Sequence, residues 1–376
     1  MPLGVGVVRK KSYLCGERTL TYAFNNTNMT GIGIIGCGKI AQVRHIPELH
    51  ANPEARIVGF YNPTLSRAEA MAACYGGKVY GSIDEMLADP DIEAVVVSLA
   101  NQAHASVSIQ ALEAGKAVLC EKPMATTIQE CEAMVQASRK ANLPLMIAQN
   151  QRLTAAHQQA RRMIEAGSIG RLLTFRTTFG HGGPETWSVN PGKGTWFFSK
   201  DKAAMGVMAD LGIHKTDLIQ YLTGQHVTAV KATIATLHKT QDNGQPIEVD
   251  DNAIVIYTLS GGAIGTMTAS WTHYGAEDNS TVLYGTEGIL RIYDNPAYAI
   301  ELIHADGSRE QFDVERIQTN DNQTSSGMSD LFVKAVREGA GSQCYLSAES
   351  VLPAMRAIFA AIESGRTGAE VIVAGE

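Results

Sequence analysis

"GIGIIGCGKIA", residues Gly31 to Ala41, decides the fold. Its apolar run, Ile32 to Ile35, reads as a buried strand. The run ends in Gly36-x-Gly38-x-x-Ala41, and a helix follows whose pattern is interrupted at Pro47. Glycines permit the tight turn and the close approach of a pyrophosphate, which then rests on the helix N-terminus. A lone glycine motif is weak, since a plain tight turn looks the same. Its surroundings give it weight.

Downstream, "ARIVGFYNP" (Ala55 to Pro63) is a second strand, and "SRAEAMAACYG" (Ser66 to Gly76) an Ala-rich helix stopped by glycine. Ser82 is an N-cap candidate for a helix opening at Asp84 to Leu87. "AVVVSLA" (Ala94 to Ala100) is a strand, and "HASVSIQALEAG" (His104 to Gly115) a helix. Then come the strand Ala117 to Cys120, the helix Thr127 to Asn142 and the strand Leu143 to Asn150. Strands alternate with helices and no hairpin signal intervenes. This predicts a parallel sheet covered by helices on both faces.

The pattern changes after Asn150. A helix at Ala155 to Ala166 is followed mainly by strands: Leu172 to Phe179, Val227 to Leu237, Asn252 to Leu259, Ala263 to Trp271, Ser280 to Tyr284, Ile289 to Tyr293 and Ala299 to His304. A helix at Ala209 to Leu222 lies among them, and two more, Ser329 to Glu338 and Ala348 to Ser364, follow. The expected fold class is therefore α/β followed by α+β. A Rossmann dinucleotide-binding domain spans 29–150, and a domain on a large, mostly antiparallel open sheet spans 151–376. Alternation such as "AIGTMTASW" leaves one face of that sheet wet or paired with another chain. No Pro/Ser-rich linker separates the halves, so a tight interface is expected.

Composition limits the alternatives. The 376 residues suit two domains, and 45% hydrophobic with 18% charged residues fits a soluble globular protein. The net charge of -7, with scattered Lys and Arg, carries no footprint for nucleic acid. Six cysteines without a CxxC pair read as free thiols of a reducing, cytoplasmic compartment. No run approaches the ~20 apolar residues of a membrane span. Residues 1–28 lack a clear period. Either Met29 is the natural start, or this extension is an arm packing on a neighbouring subunit.

Several side chains stand out. At the end of the second strand, where NAD-binding folds place an acid, this chain has Asn62, with Thr64, Ser66 and Arg67 close by. NAD and NADP both remain open. "VLCEKPMATT" (Val118 to Thr127) ends a strand on Glu121-Lys122, ahead of Pro123. In "DLGIHKTD" (Asp210 to Asp217), Asp210 and His214 are four apart, sharing a helix face. They could be a proton-handling pair, a half metal site or a surface pair. No third ligand accompanies them, so metal is the least favoured. In "FGHGGPETW" (Phe179 to Trp187), His181 could touch substrate or cap a turn.

"GIIGCGKIA", "EKPMA" and "DLGIHKTD" occur in this order, together with Asn101 in "SLANQAH", "NQRL" (Asn150 to Leu153) and Trp196. Over roughly Met29 to Gly365 the chain resembles the Gfo/Idh/MocA oxidoreductases, the family of glucose–fructose oxidoreductase and inositol dehydrogenase. The resemblance implies an enzyme using NAD or NADP to oxidise or reduce a hydroxyl carbon of a sugar, inositol or glycoside. It further implies dimers or tetramers through the C-terminal sheet. By position it makes Lys122, Asp210 and His214 catalytic. Gly36, Gly38, Lys39, Ile40, Asn62, Arg67, Ser98, Asn101, His104, Glu121 and Lys122 fall on the cofactor side, with Glu121 at the nicotinamide ribose. Arg152, His181 and Trp196 join the catalytic residues on the substrate side. The chain departs from the family where a glycine triplet is common, having Ala204-Met205-Gly206, and where Thr-Pro-Asn is common, having Leu99-Ala100-Asn101.

The chemistry accords with this. Hydride leaves a carbinol carbon only as its hydroxyl proton leaves, so a base must reach that oxygen. His214 is the natural base near neutral pH. Three alternatives compete with simple dehydrogenation: glycoside cleavage through transient oxidation, reduction of a non-sugar carbonyl, and a cofactor-binding sensor without catalysis. A sensor has no need of Lys122, Asp210 and His214 together.

Overall fold

The computed structural model describes residues 29–314, 326–339 and 344–373; the 1–28 extension lies outside the described residues. The strands are β1 (Thr30–Ile35), β2 (Ala55–Tyr61), β3 (Lys78–Val79), β4 (Ala94–Val97), β5 (Ala117–Cys120), β6 (Leu145–Ile147), β7 (Leu172–Gly180) and β8 (Val227–Ala235). They continue as β9 (Asn252–Leu259), β10 (Ile264–Ser270), β11 (Thr281–Gly285), β12 (Gly288–Asn295), β13 (Tyr298–His304), β14 (Arg309–Phe312) and β15 (Val371–Ile372). The α-helices are α1 (Ile46–Ala51), α2 (Leu65–Tyr75), α3 (Ile83–Ala88), α4 (His104–Glu113) and α5 (Ile128–Ala141). After them come α6 (Ala155–Glu165), α7 (Lys200–Ala203), α8 (Ile213–Thr223), α9 (Met328–Glu338) and α10 (Ala348–Thr367).

The first sheet is six-stranded and parallel, in the order β3-β2-β1-β4-β5-β6. Strands β4, β5 and β6 are apolar and buried throughout because both faces are covered. Val95 and Val97 of β4 feed one core, and Ala94 and Val96 the other. In β5, Val118 and Cys120 alternate in the same way with Ala117 and Leu119. Helices α4 and α5 cover the first face through residues such as Ala111 and Met134. On the second face, Ile46 and Leu49 of α1 meet Met328, Phe332 and Val333 of α9. Chain from well beyond residue 151 therefore completes the first sheet, a division the linear pattern did not show.

The helix after the glycine turn is not broken at Pro47. The backbone first widens into a π-turn over Ala41–His45, with Ile46 N donating to Ala41 O. Pro47 then lies in the first turn of α1, where its missing N–H costs no bond.

The second sheet has nine strands in the order β14-β13-β12-β11-β7-β10-β9-β8-β15. All its pairings are antiparallel except β7 with β10. The sequence did not show β3, β14 or β15. Two of them are two residues long, and the third, "REQF", is mostly polar and exposed. On the covered face, Val255 and Tyr257 of β9 pack with Leu218, Ile219 and Leu222 of α8 and with Met355 and Ile358 of α10. That core is continuous with the α4/α5 side of the first sheet, so the halves share one apolar interior. On the other face Ile254, Ile256 and Ile264 are exposed.

Gly36 fixes the entry to the site. Its φ is +102°, and a Cβ there would lie 2.3 Å from the Ser98 carbonyl oxygen. Gly36→Ala combines this clash with strain worth about 1–3 kcal/mol. It should lower the unfolding free energy by at least that amount in denaturant titration. An unchanged midpoint would remove the glycine requirement.

Candidate active site

A cavity of about 560 Å³ runs along the carboxyl ends of the first sheet and under the loops of the second half. This is where parallel sheets of this kind place ligands. Gly38, Lys39 and Ile40 line one end, with Asn62, Thr64 and Arg67 beside them. Gly36 does not line the cavity; its role is the close packing of the turn on Ser98. Gly38 faces open space, the nearest atom to a Cβ there being Ser98 O at 3.9 Å. Asn62 is committed to the backbone: its Oδ1 accepts from Cys37 N at 2.9 Å and its Nδ2 donates to Thr64 O at 2.9 Å. It ties the end of β2 to the glycine turn, and Lys39 and Arg67 are the charged groups at this end. With the Asn190 amide turned to satisfy its neighbours, its oxygen accepts from Arg67 at 2.8 Å.

Ser98, Asn101 and His104 line the middle. Asn101 Nδ2 donates to Ala203 O at 2.9 Å, docking the 3-10 turn Asn101–Ala103 against α7. His104 is buried between the carbonyls of Pro123 (2.7 Å) and Leu99 (3.2 Å). It thereby holds the backbone behind Lys122, and the Lys122–Pro123 bond is cis.

Glu121 is buried, and its carboxylate is already occupied. Oε1 accepts from His45 Nε2 at 2.7 Å and Arg44 NH1 at 3.2 Å, and Oε2 accepts from Lys122 N at 3.1 Å. Burial pushes this carboxyl up, but the His45 hydrogen bond and the Arg44 charge outweigh it and hold the group well below the usual range. Glu121 thus locks the helix after the glycine turn to the end of β5. Arg44 and His45 escaped the sequence reading. The signal was a charged doublet on the inner side of the helix that carries the glycine motif.

Lys122, Asp210, His214 and His181 converge at the other end. Lys122 Nζ donates to both Oδ1 and the backbone oxygen of Asp210, each at 2.8 Å. Asp210 Oδ2 accepts from Trp271 Nε1 at 3.0 Å and lies 3.9 Å from His181 Nε2. Burial pushes the Asp210 carboxyl up, and Lys122 brings it below its ordinary value. Asp210 sits in a π-turn, Met208–Gly212, that runs into α8, so the pair with His214 is not on a regular α-helical face. Both nevertheless line the same cavity. Burial, with the Lys122 charge next, drives the His214 imidazole well below its ordinary value, so it is neutral at neutral pH. His181 caps a turn and also lines the cavity. Its Nδ1 accepts from Gly183 N at 2.9 Å, capping the turn, which places the ring proton on the Nε2 that faces Asp210. Trp196 lines the wall, stacked on Phe197 with centroids 3.9 Å apart.

Arg152 is elsewhere. It is buried in an ion pair with Asp217 of α8 and donates to Tyr345 O and to Ser350. Asn150 and Gln151 of the same "NQRL" stretch face the cavity instead. A guanidinium removed from water takes the nearest carboxylate, and here that is on α8. The glycine-poor "AMG" stretch is also explained. Ala204 keeps a φ of +63°, and Gly206 is retained where a Cβ would lie 1.9 Å from Asp250 O. Among the described residues no cluster of His, Cys, Asp and Glu could hold a metal, and no helix is long and apolar enough to cross a membrane.

A glycine turn, a cavity at the carboxyl ends of a parallel sheet and a Lys–Asp–His cluster define a dinucleotide-dependent oxidoreductase. The chain belongs to the Gfo/Idh/MocA oxidoreductases. Residues 30–149 match the family model described as oxidoreductase family, NAD-binding Rossmann fold, and residues 157–291 match the GFO/IDH/MocA C-terminal domain. The chain is 30% identical to 1,5-anhydro-D-fructose reductase of Ensifer adhaerens over 259 residues, 69% of this chain and 74% of that protein. It is 33% identical to levoglucosan dehydrogenase of Pseudarthrobacter phenanthrenivorans over 260 residues, 64% of this chain and 65% of that protein. A levoglucosan dehydrogenase solved with NADH and levoglucosan superposes with a TM-score of 0.80 at 25% identity, covering 92% of this chain and 100% of that one.

Replacing Arg152 by Met strands Asp217, and removing one partner of a buried pair costs about 3–5 kcal/mol. Unfolding titrations should show that loss, while KM in the folded fraction stays within threefold of wild type (roughly 0.7 kcal/mol). Unchanged stability with a tenfold higher KM would return Arg152 to the substrate site.

Proposed function

We propose that the protein transfers hydride between NAD or NADP and a hydroxyl carbon of a sugar, inositol or glycoside. The observation that carries this reading is the Lys122–Asp210 contact, 2.8 Å across the seam of the two halves, in one cavity with neutral His214 and the glycine turn. The residues fit a dinucleotide: Gly38 is open at the turn, Arg67 offers charge at one end, and the proton-handling groups gather at the other. When bound, the nicotinamide supplies the hydride acceptor, or the donor in reverse.

The chain's own groups handle the proton and the oxygen. Lys122 has three N–H donors and uses two on Asp210, leaving a third for the substrate oxygen. His214, neutral through burial, takes the hydroxyl proton in oxidation and returns it in reduction. Asp210, fixed by Trp271, holds the Lys122 Nζ in place at the cavity.

The same reading makes the enzyme cytoplasmic and a homodimer or homotetramer. Free cysteines at 37, 120, 131 and 344 support a reducing compartment. Exposed Ile254, Ile256 and Ile264 on one sheet face support burial against a second copy.

Lys122→Ala and His214→Ala should each lower kcat by roughly 10²-fold or more. Cofactor affinity, followed by calorimetry, should stay within a few-fold. Near-wild-type turnover in both would overturn the assignment. A panel of polyols, sugars and glycosides, followed at the nicotinamide absorbance with both cofactors, identifies the substrate. A base works only above its pKa, and His214's is lowered. The acid limb of kcat/KM for oxidation should therefore lie well below pH 6.5. A limb at or above that value counts against His214.

A further inference from the structure

A second acidic group enters the cavity from the loop between β10 and β11. Glu277 lines the cavity and is solvent-exposed. Its Oε1 accepts from Asn279 Nδ2 at 3.3 Å. Asn279 is buried, and its amide is held from the other end, since Oδ1 accepts from Gln151 Nε2 at 3.2 Å. Behind it Lys215, fully buried, donates to the Asn279 backbone oxygen at 2.9 Å and lies 5.9 Å from the centre of the Phe179 ring. The result is a layered wall: an ammonium at the back, a clamped amide between, and a carboxylate in front.

The other two carboxylates on the cavity wall are neutralised, Glu121 by Arg44 and Asp210 by Lys122. Glu277 makes no ion pair among the described residues, and Lys215 is held on a carbonyl behind it. Burial draws Lys215 down to about 7. Among the described residues the cations at this end are largely committed: Lys122 gives two of its three donors to Asp210, and Arg152 is turned away onto Asp217. Lys202, also on the cavity wall, belongs to α7, which packs beside the cofactor-side Asn101.

We infer that Glu277 is the specificity group of the substrate pocket, accepting a hydrogen bond from a substrate hydroxyl or ammonium and rejecting substrates that carry a carboxylate or phosphate there. An ionised carboxylate is an acceptor only. On the cavity wall, solvent-exposed and without an ion-pair partner among the described residues, it is satisfied by an O–H or N–H, whereas an anion would bring a like charge. The inference takes the identity of the pocket from the proposed function and adds the charge its substrate must have.

The test is direct binding to the cofactor-loaded protein, followed by calorimetry and by the fluorescence of Trp187 and Trp196, which line the cavity. The probes are myo-inositol, D-glucose, D-glucosamine, D-glucose 6-phosphate and D-glucuronate. Wild type should bind a neutral or ammonium-bearing ring at least tenfold more tightly than the anionic rings, about 1.4 kcal/mol. The glucose–glucosamine comparison tells whether hydroxyl or ammonium is preferred. Glu277→Gln keeps the size and removes the charge. It should narrow the gap at least fivefold, mainly through tighter anion binding, with cofactor affinity unchanged. Anions that bind wild type as tightly as their neutral parents would overturn the inference, whatever the variant does. So would binding of no ring at all, or a folded Glu277→Gln variant with the gap intact. Binding in the expected order without hydride transfer would sink the proposed reaction and leave this inference standing.

Discussion

A charge withdrawn from water must be met by a partner, and here those partners lie far apart in the chain. Lys122 ends a strand of the first sheet, Asp210 opens a helix of the second half, and they meet at 2.8 Å. Glu121, one residue earlier, is met from the opposite side by Arg44 and His45. These neighbours clamp the end of β5 between the glycine turn and the second half. The cavity exists because those three elements are held together at that point. Its reactive groups are also its structural ties, which is why the carboxylates of Glu121 and Asp210 are both held ionised despite burial.

Pairing also settles which charged residues are reactive. Arg152 and Asp217 complete each other and turn away from the cavity, stitching the segment after β6 to α8 and α10. Lys122 and Asp210 do not complete each other. The lysine keeps a donor, and the carboxylate is shared with Trp271 and approached by His181. A closed pair is scaffold, and an open one faces the substrate.

Much of this was legible in the sequence because period and order carry it. Continuous apolar strands separated by helices dictated the parallel sheet, and alternating strands dictated the antiparallel one. Three motifs in order placed Lys122, Asp210 and His214 together. What escaped depends on contacts between distant residues. Nothing local in "NQRL" says that Arg152 faces Asp217 rather than a ligand. Nothing around Trp271 says that its indole reaches Asp210. Nothing local around Asn62 says that its amide also bridges two loops. The π-turns at Ala41–His45 and Met208–Gly212 are likewise invisible to a pattern that assumes regular helix. Both lie where a helix turns residues toward the cavity, in keeping with the tendency of such bulges to occur at functional sites.

Helix α9 has a consequence for how the molecule is made. Met328, Phe332 and Val333 cover the second face of the first sheet, against Ile46 and Leu49. During synthesis at about 5–20 residues per second, the N-terminal strands and helices emerge long before that cover exists. The nucleotide-binding half therefore spends most of its time on the ribosome with one apolar face open. That face is closed only once α9 (Met328–Glu338) has emerged, well after every residue that lines the cavity.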